Sequence, residues 1–281
     1  MMASRSVLDG LKGRRPEWGP WLAVVEEVLR EADGPGWDAA VPSGLNAHGS
    51  ESPLLSGVAF RVPAGSIRRF FERLVRCDAG ATTPKLASVK PLLRRDAEVL
   101  TLFTASLSQN SDRVTAIADA AGADAEALHA IVALLCVPLL QACNRRWTSA
   151  VSSAWRQGYC PVCGAWPAFA EVRGIERSRC LRCGRCGCAW LAPALRCPYC
   201  RTGDHHELVE LVPEKHRSHA VISACLRCHG FVKTLIVLQG CPPGAVMLED
   251  LASVDLDVAA IEQDYVRPPG AGYPLAATVT E

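Results

Sequence analysis

Apolar positions divide the chain into a helical first half and a cysteine-rich second half. In the first half apolar residues recur at spacings of three and four, which is the period of a helix buried on one side. The stripe from Trp21 to Leu29 predicts an amphipathic helix ending near Gly34. Similar patterns predict helices over 66–75 with Ser66 as N-cap, over 89–108, over 112–121, and from Asp124 towards Trp155 with a kink or break at Pro138. We therefore predict an all-α domain over residues 1–156.

The pattern changes at Gly158, where short β-rich runs begin to alternate with pairs of cysteines. Phe169 to Glu176, centred on Gly174, predicts a β-hairpin. The ranges 207–212, 220–224 and 231–238 predict three further strands. Apolar residues from Leu248 to Tyr265 return to helical spacing and predict one final helix. We therefore predict an α+β fold class. The helical domain is followed by two small zinc-ribbon β modules, at 157–196 and 197–240, and then by a helix with a tail at 241–281.

Four pairs of cysteines are the strongest chemical signal, and ten of the 14 cysteines lie between Tyr159 and Phe231. Two residues between thiols let both sulfurs of a tight turn face one ion, about 3.7 Å apart in a tetrahedral site. One such turn supplies half a site, so four turns predict two sites. The candidate metal ligands are Cys160, Cys163, Cys183, Cys186, Cys197, Cys200, Cys225 and Cys228.

The spacing between turns predicts which of them share an ion. Nineteen residues separate Cys163 from Cys183, which lies within the ribbon spacing of about 15–20. Twenty-four residues separate Cys200 from Cys225, a distance that a longer hairpin absorbs. We therefore predict that the first turn pairs with the second and the third with the fourth. An interleaved pairing of the first turn with the third is the alternative.

The second turn contains more cysteines than one site needs. Cys180 with Cys183 also fits the spacing, and Cys188 is left over in either case, so the residue pattern leaves Cys180 and Cys188 open as alternative ligands. The unused thiols are inert, or they exchange disulfides if nearby arginines such as Arg182 lower their pKa.

Glycine follows the second cysteine of the first turn, at Gly164, and of either possible pair in the second turn, at Gly184 and Gly187, where it permits a positive φ. Arg201 and His229 occupy this place in the third and fourth turns, which are therefore predicted to be less regular.

Four thiolates suit zinc or iron, and the sequence does not choose between them. A site closed by four protein ligands leaves no position for an activated water, which argues against hydrolytic chemistry. The β modules are too small to bury much apolar surface, so we expect the metal to stabilise their fold.

Composition limits the partners and the cellular compartment that are expected for this chain. The 281 residues carry a formal net charge of +1, so the chain as a whole resembles neither a nucleic-acid-binding nor an acidic protein. The first residues lack the apolar core of a signal peptide, and the longest apolar run, 130–140, is too short to cross a bilayer. We therefore expect a cytoplasmic protein with reduced thiols, where clustered cysteines indicate metal or redox chemistry rather than structural disulfides.

Other candidate groups have simpler interpretations. The histidines near the third and fourth turns are expected to be solvated loop residues: His205, His206, His216 and His219. Cys77, Cys136 and Cys143 lie on apolar helix faces and are expected in the core. Seven arginines between Arg173 and Arg201 predict a basic face for nucleic acid or for a protein partner.

With these residues in place, the chain resembles the FdhE family of accessory proteins for formate dehydrogenase assembly. The first turn resembles the family in Cys160-Pro161-Val162-Cys163-Gly164 with Pro167, and the second in Arg179, Leu181, Cys183, Cys186 and Trp190. The later blocks match in Cys197 and Cys200, then in Cys225, Cys228 and Lys233, and last in Glu249 to Ser253 with Asp257 and Tyr265. The resemblance favours Cys183 with Cys186 as the second ligand pair.

The resemblance implies a helical domain followed by two rubredoxin-like modules that hold two iron ions, with zinc possible in their place. It implies a metal-binding assembly factor, or chaperone, that binds the catalytic subunit of formate dehydrogenase in the cytoplasm, with a redox role as an extension. We expect no enzymatic activity. The alternatives are a zinc-ribbon nucleic-acid-binding protein and a rubredoxin-type electron carrier or thiol oxidoreductase.

Overall fold

The computed structural model describes residues 2–45, 51–77, 84–213 and 219–280. The chain divides into two compact units. One contains Leu8–Ala47, Leu55–Trp147 and Pro274–Glu281, and the other contains Met1–Val7, His48–Leu54 and Thr148–Tyr273. The presence of both helices and a sheet agrees with the predicted α+β class, whereas the predicted domain boundaries stay a prediction.

Helices dominate the first unit, and α1 begins just before it. Their bounds are α1 Met2–Arg14, α2 Gly19–Asp33, α3 Ala64–Arg76, α4 Pro84–Ala87, α5 Asp96–Ser108, α6 Ser111–Ala121, α7 Ala125–Leu135 and α8 Val137–Trp147. Short 3-10 turns lie at Pro16–Trp18, Pro35–Ala40 and Lys90–Arg94. A two-stranded parallel sheet joins β1, Ala59–Arg61, to β8, Thr278–Thr280.

The core of this unit is built from the apolar stripes of its helices. Val24, Val25 and Val28 of the predicted α2 stripe are buried, whereas Trp21 and Leu29 at its ends are only partly buried. The Trp37 ring stacks on Phe103 with centroids 5.7 Å apart. The buried carboxylate of Glu27 accepts a hydrogen bond from Arg73 Nε at 2.7 Å. This ion pair compensates a charge that would otherwise be costly to bury.

Several helix boundaries differ from the prediction. Helix α1 was not predicted, because its residues show no long apolar stripe. Ser66 lies inside α3, which begins at Ala64 after Pro63 and has no side-chain cap, so the predicted N-cap is wrong. The range 89–108 is interrupted before α5 begins at Asp96.

The last predicted helix of this half is also interrupted. Asp124 caps α7 by accepting the amide of Ala127 at 2.9 Å. The break falls at Cys136, which leaves Pro138 in the first turn of α8, where proline is tolerated. Helix α8 ends at Trp147 rather than continuing to Trp155.

Residues 125–150 are long and apolar enough to cross a membrane by length and composition alone, with a mean hydropathy of 1.8 in the most apolar window. However, 78% of that window is buried inside the protein, which is typical of a core helix.

A six-stranded sheet organises the second unit, in the order β4-β3-β2-β7-β6-β5. The strands are β2 Phe169–Arg173, β3 Ser178–Arg182, β4 Ala189–Leu191, β5 Leu208–Leu211, β6 Ala220–Cys225 and β7 Phe231–Val237. The hairpin of β2 and β3 around Gly174 is confirmed, as are the three later strands. Strand β2 pairs in parallel with β7, so strands from both predicted modules lie in one sheet.

Two short helices cover one face of this sheet. The final helix predicted from Leu248 to Tyr265 is in fact two, α9 Val246–Ala252 and α10 Val254–Ile261, separated at Ser253. Leu256 of α10 packs against Ile222 and Phe231 of the sheet. The helical period continues across the break, which is why the sequence pattern did not reveal it.

Candidate metal centres

All four cysteine turns have the same backbone geometry. In each turn the amide of the first cysteine donates to the carbonyl five residues later, and the residue after the second cysteine has a positive φ. The hydrogen bonds are Cys160 to Ala165 at 2.8 Å, and Cys183 to Cys188, Cys197 to Thr202 and Cys225 to Gly230, each at 2.9 Å. The positive φ angles are 73° at Gly164, 77° at Gly187, 65° at Arg201 and 54° at His229.

The predicted irregularity of the third and fourth turns is therefore wrong. A non-glycine residue pays about 1–2 kcal/mol for the left-handed conformation, and a turn with exposed side chains can accept that cost. Arg201 and His229 are both exposed. Glycine is required at Gly164 because a Cβ atom there would lie 2.2 Å from the carbonyl oxygen of Tyr273.

The first and second turns bring four buried sulfurs together. Cys160 Sγ lies 3.4 Å from Cys186 Sγ, and Cys163 Sγ lies 3.5 Å from Cys183 Sγ. All four sulfurs lie within 4.8 Å of one another. These separations are close to the roughly 3.7 Å expected between sulfurs around a tetrahedral zinc or iron ion. We refer to these four cysteines as the first centre.

The third and fourth turns form a second centre of the same kind. Cys197 Sγ lies 3.7 Å from Cys228 Sγ, and Cys200 Sγ lies 3.7 Å from Cys225 Sγ. Cys200 and Cys228 are partly exposed, whereas every cysteine of the first centre is buried. The turns thus meet as adjacent halves, and the interleaved alternative does not occur.

The structure also shows which cysteines of the second turn belong to the first centre. Cys183 and Cys186 belong to the first centre, and Cys180 lies on β3 opposite Glu171, outside both clusters. Cys188 supplies the carbonyl acceptor of its turn, and its Sγ lies 3.6 Å from the carbonyl oxygen of Ala189. Neither Cys180 nor Cys188 is one of the eight clustered residues.

Burial and mutual proximity shift the pKa values of the clustered thiols. Burial raises the pKa of Cys160 and of Cys186. Burial also acts to raise the pKa of Cys183, but hydrogen bonds from the neighbouring thiols outweigh it and the pKa falls. At the second centre burial raises the pKa of Cys197. Four thiolates in so small a volume repel one another, so a divalent cation is needed to ionise all of them.

One further cluster, which the sequence pattern did not predict, consists of Asp204, His205 and His206. Their ligand atoms lie within 4.8 Å of one another, and all three side chains are exposed. Exposure agrees with the prediction that these histidines are solvated, while His216 lies outside the described residues. The three consecutive residues Asp-His-His are the sequence feature from which this group could have been predicted.

The predicted basic face is wrong for three of its arginines. Arg182 is buried and donates to Glu171 Oε2 at 3.3 Å, and Arg173 Nε donates to the same oxygen at 2.8 Å. Arg179 is buried and donates to two backbone carbonyls. These guanidinium groups fasten the sheet and its loops, so they do not form an exposed basic stripe.

Known proteins share part of this sequence. No family model matches the chain. The chain is 31% identical over 116 residues to a protein from Aquifex aeolicus and 32% identical over 114 residues to one from Stutzerimonas stutzeri, both named "Protein FdhE homolog". Each match covers 40% of this chain, and the matches cover 40% and 36% of the relatives. The chain thus spans about two fifths of the length of the curated relatives it matches.

The fold has a solved counterpart. The crystal structure of the FdhE protein from Pseudomonas aeruginosa superposes with a TM-score of 0.55 and 21% identity, over 96% of this chain and 94% of that one. At this identity the likeness concerns the fold alone. The resemblance to FdhE proteins predicted from the cysteine turns is therefore confirmed, in sequence over two fifths of the chain and in fold over nearly all of it.

Proposed function

We propose that the chain is a metal-binding accessory protein for the maturation and assembly of formate dehydrogenase, and that it is not an enzyme. The observation that carries the proposal is the pair of four-cysteine centres in a chain that resembles FdhE proteins. Each centre offers four sulfurs to one ion, which leaves no position for substrate or activated water.

The donor set of both centres fits iron, with zinc as the alternative. Cys160, Cys163, Cys183 and Cys186 would hold one ion, and Cys197, Cys200, Cys225 and Cys228 would hold the other. When bound, such an ion fixes the turns to one another, and iron adds one-electron chemistry. The partly exposed sulfurs of the second centre make it the better placed of the two for a redox role.

The proposed partner is the catalytic subunit of formate dehydrogenase, bound in the cytoplasm before its final assembly. An exposed apolar pair supports a protein-binding surface on this unit. Ile175 follows β2 and is 94% exposed, and Leu238 follows β7 and is 86% exposed. The two segments are held side by side because the amide of Gly174 donates to the carbonyl of Val237 at 3.1 Å. Exposed apolar patches mark interaction sites more often than chance.

Nucleic-acid binding is less well supported, because three of the seven arginines that motivated it, Arg173, Arg179 and Arg182, are buried or hydrogen-bonded within the protein. The formal net charge of +1 also argues against nucleic-acid binding, because such binding depends on many positive charges that contact phosphates.

Co-purification tests the proposal. Tagged protein is expressed with the catalytic subunit of a formate dehydrogenase and recovered without oxygen. We expect the subunit to co-elute, and we expect a variant with Ile175→Asp and Leu238→Asp to lose it. The exposed Arg177→Gln on the same hairpin serves as the control and should retain the subunit. Absence of co-elution, together with normal formate dehydrogenase activity in cells that lack the protein, would refute the proposal.

A further inference from the structure

The cluster of Asp204, His205 and His206 lies on a short 3-10 turn, His205–Glu207, between the third cysteine turn and β5. Asp204 caps this turn, because its Oδ1 accepts the amide of His206 at 3.0 Å. The three side chains are exposed, and their ligand atoms lie within 4.8 Å of one another. The two histidine rings are in contact, with centroids 3.9 Å apart. Two imidazoles and one carboxylate therefore meet at one point of the surface.

The backbone that carries these side chains is fastened on both sides. Glu207 Oε2 accepts a hydrogen bond from Thr202 Oγ1 at 2.6 Å, and the carbonyl of Thr202 closes the third cysteine turn. The carbonyl of Glu207 accepts the amide of Leu226, within the fourth cysteine turn, at 2.8 Å. Both of these turns belong to the second centre. A backbone fixed in this way lowers the entropy that is lost when several donors converge on one ion.

The donor set suits a transition-metal ion. Imidazole nitrogen suits zinc, copper and nickel, whereas magnesium and calcium prefer oxygen ligands alone. Bonds of about 2.1 Å place the ligand atoms of a tetrahedral zinc site about 3.4 Å apart. The separations here are at most 4.8 Å, and rotation of exposed side chains covers the difference. Capping does not block Asp204 as a ligand, because a carboxylate has two oxygens with about four lone-pair sites.

This cluster differs from the two four-cysteine centres in two respects. Three protein donors leave one position of a four-coordinate ion open, whereas four cysteines close it. All three donors are exposed, whereas the sulfurs of the first centre are buried. An ion at this cluster should therefore exchange quickly with solvent, and dialysis should remove it while both cysteine centres keep theirs.

We propose that Asp204, His205 and His206 form a third, exchangeable metal site, which binds Zn²⁺ or a similar transition-metal ion through two imidazoles and one carboxylate. Water completes the coordination in the isolated protein. The proposal depends neither on the proposed partner nor on which metal the cysteine centres hold.

Isothermal titration calorimetry tests the proposal on the full chain without a histidine tag. Both cysteine centres are loaded with zinc, and excess metal is removed by dialysis. Zn²⁺ is then titrated as the probe, with Mg²⁺ as the matched control ion. We expect one additional Zn²⁺ per chain with a Kd below about 100 μM, and no saturable binding of Mg²⁺. No saturable binding of Zn²⁺, or equal binding of the two ions, would overturn the proposal.

Histidine variants assign the additional ion to the cluster. His205→Gln and His206→Gln should each weaken Zn²⁺ at least about tenfold, because even the hydrogen-bond partners of metal ligands contribute about 10- to 100-fold to affinity. His129→Gln is the matched control, since it removes a histidine of α7 that contacts Thr115, and it should leave the Kd unchanged. Unchanged affinity in both cluster variants, or an equal loss in His129→Gln, would show that the ion binds elsewhere.

Asp204→Asn separates the role of Asp204 as a ligand from its role as a cap. Asparagine caps a helical turn about as well as aspartate does, so the turn should be preserved and the urea unfolding curve unchanged. The amide oxygen carries no charge, so Zn²⁺ should bind about tenfold more weakly. Full Zn²⁺ affinity in Asp204→Asn would mean that the carboxylate is not a ligand and would contradict the proposed site.

Discussion

Lys233 Nζ lies 2.7 Å from Asp257 Oδ2, and the lysine side chain is completely buried. The same ammonium lies 2.6 Å from Asp250 Oδ1 and donates to the carbonyl of Asp250 at 2.7 Å. Arg267 binds both carboxylates from the other side. These ion pairs fasten α9 and α10 to β7, which gives a physical reason for the resemblance found at Lys233 and Asp257.

Replacing Lys233 should therefore destabilise the sheet unit. Lys233→Met leaves Asp250 and Asp257, which are partly buried, with Arg267 as their single cationic partner. Because the two carboxylates keep this partner and some contact with solvent, the expected cost is about 2–3 kcal/mol, at or below that of breaking a fully buried pair. Urea unfolding followed by proteolysis of the second unit measures the change in the free energy of unfolding. Arg177→Met, at an exposed hairpin position, is the control and should stay within about 0.5 kcal/mol of wild type. A loss below about 1 kcal/mol for Lys233→Met would mean that the ion pairs do not fasten the helices.

Single cysteine substitutions should separate ligands from bystanders. Cys163→Ser and Cys225→Ser each open one centre, so each should lower the metal content from two ions per chain to one. Cys180→Ser and Cys188→Ser lie outside the two clusters and should keep both ions. Elemental analysis of protein purified without oxygen measures the ratio. Loss of an ion in Cys180→Ser with retention in Cys186→Ser would show that the second turn uses the other cysteine pair.

The two centres should release their ions at different rates. Chelators reach the second centre through Cys200 and Cys228, which are partly exposed, whereas the first centre is enclosed. A coloured chelator should therefore remove metal in two phases of equal amplitude. Cys225→Ser should abolish the fast phase only. Release in one phase, or loss of the slow phase in this variant, would show that sulfur exposure does not govern release.

Cys241 should be nearly inert towards alkylating reagents at neutral pH. Burial raises the pKa of its thiol from 9.0 to about 12, and the nearby carboxylate of Glu171 acts in the same direction. The thiolate is the nucleophile, so at pH 8 only about one molecule in ten thousand is reactive, against about one in ten in an unfolded chain. Labelling by iodoacetamide, read by mass spectrometry, should accelerate with every pH unit up to about 12. A reaction rate equal to that of the urea-unfolded protein at pH 8 would contradict this environment for Cys241.

The local geometry of the centres follows from the sequence, because a turn with two residues between cysteines has few ways to fold. Spacing alone predicted the adjacent pairing of Cys163 with Cys183. Spacing could not choose between Cys180 and Cys186, since both fit the loop length. The family resemblance favoured Cys186, and the structure places the Cys186 sulfur with those of Cys160, Cys163 and Cys183. The regular turn at Arg201 was missed because sequence rules weigh the strain at positive φ without knowing that the side chain is exposed.

Longer-range features needed the structure. Alternating apolar and polar residues predict a strand but not the strand that it pairs with. The parallel pairing of β2 with β7 therefore could not be predicted from the pattern. The arginine run was interpreted as a surface feature because charged residues are usually exposed. Arg179 and Arg182 are instead buried, where backbone carbonyls and Glu171 receive their hydrogen bonds. The break at Ser253 was hidden because apolar spacing continues through it.

The most direct test of the account is metal analysis combined with X-ray absorption at the metal edge, on full-length protein purified without oxygen. We expect two ions per chain, each surrounded by four sulfurs at about 2.3 Å. Fewer than two ions, nitrogen or oxygen neighbours in place of sulfur, or disulfides linking the eight cysteines would contradict it.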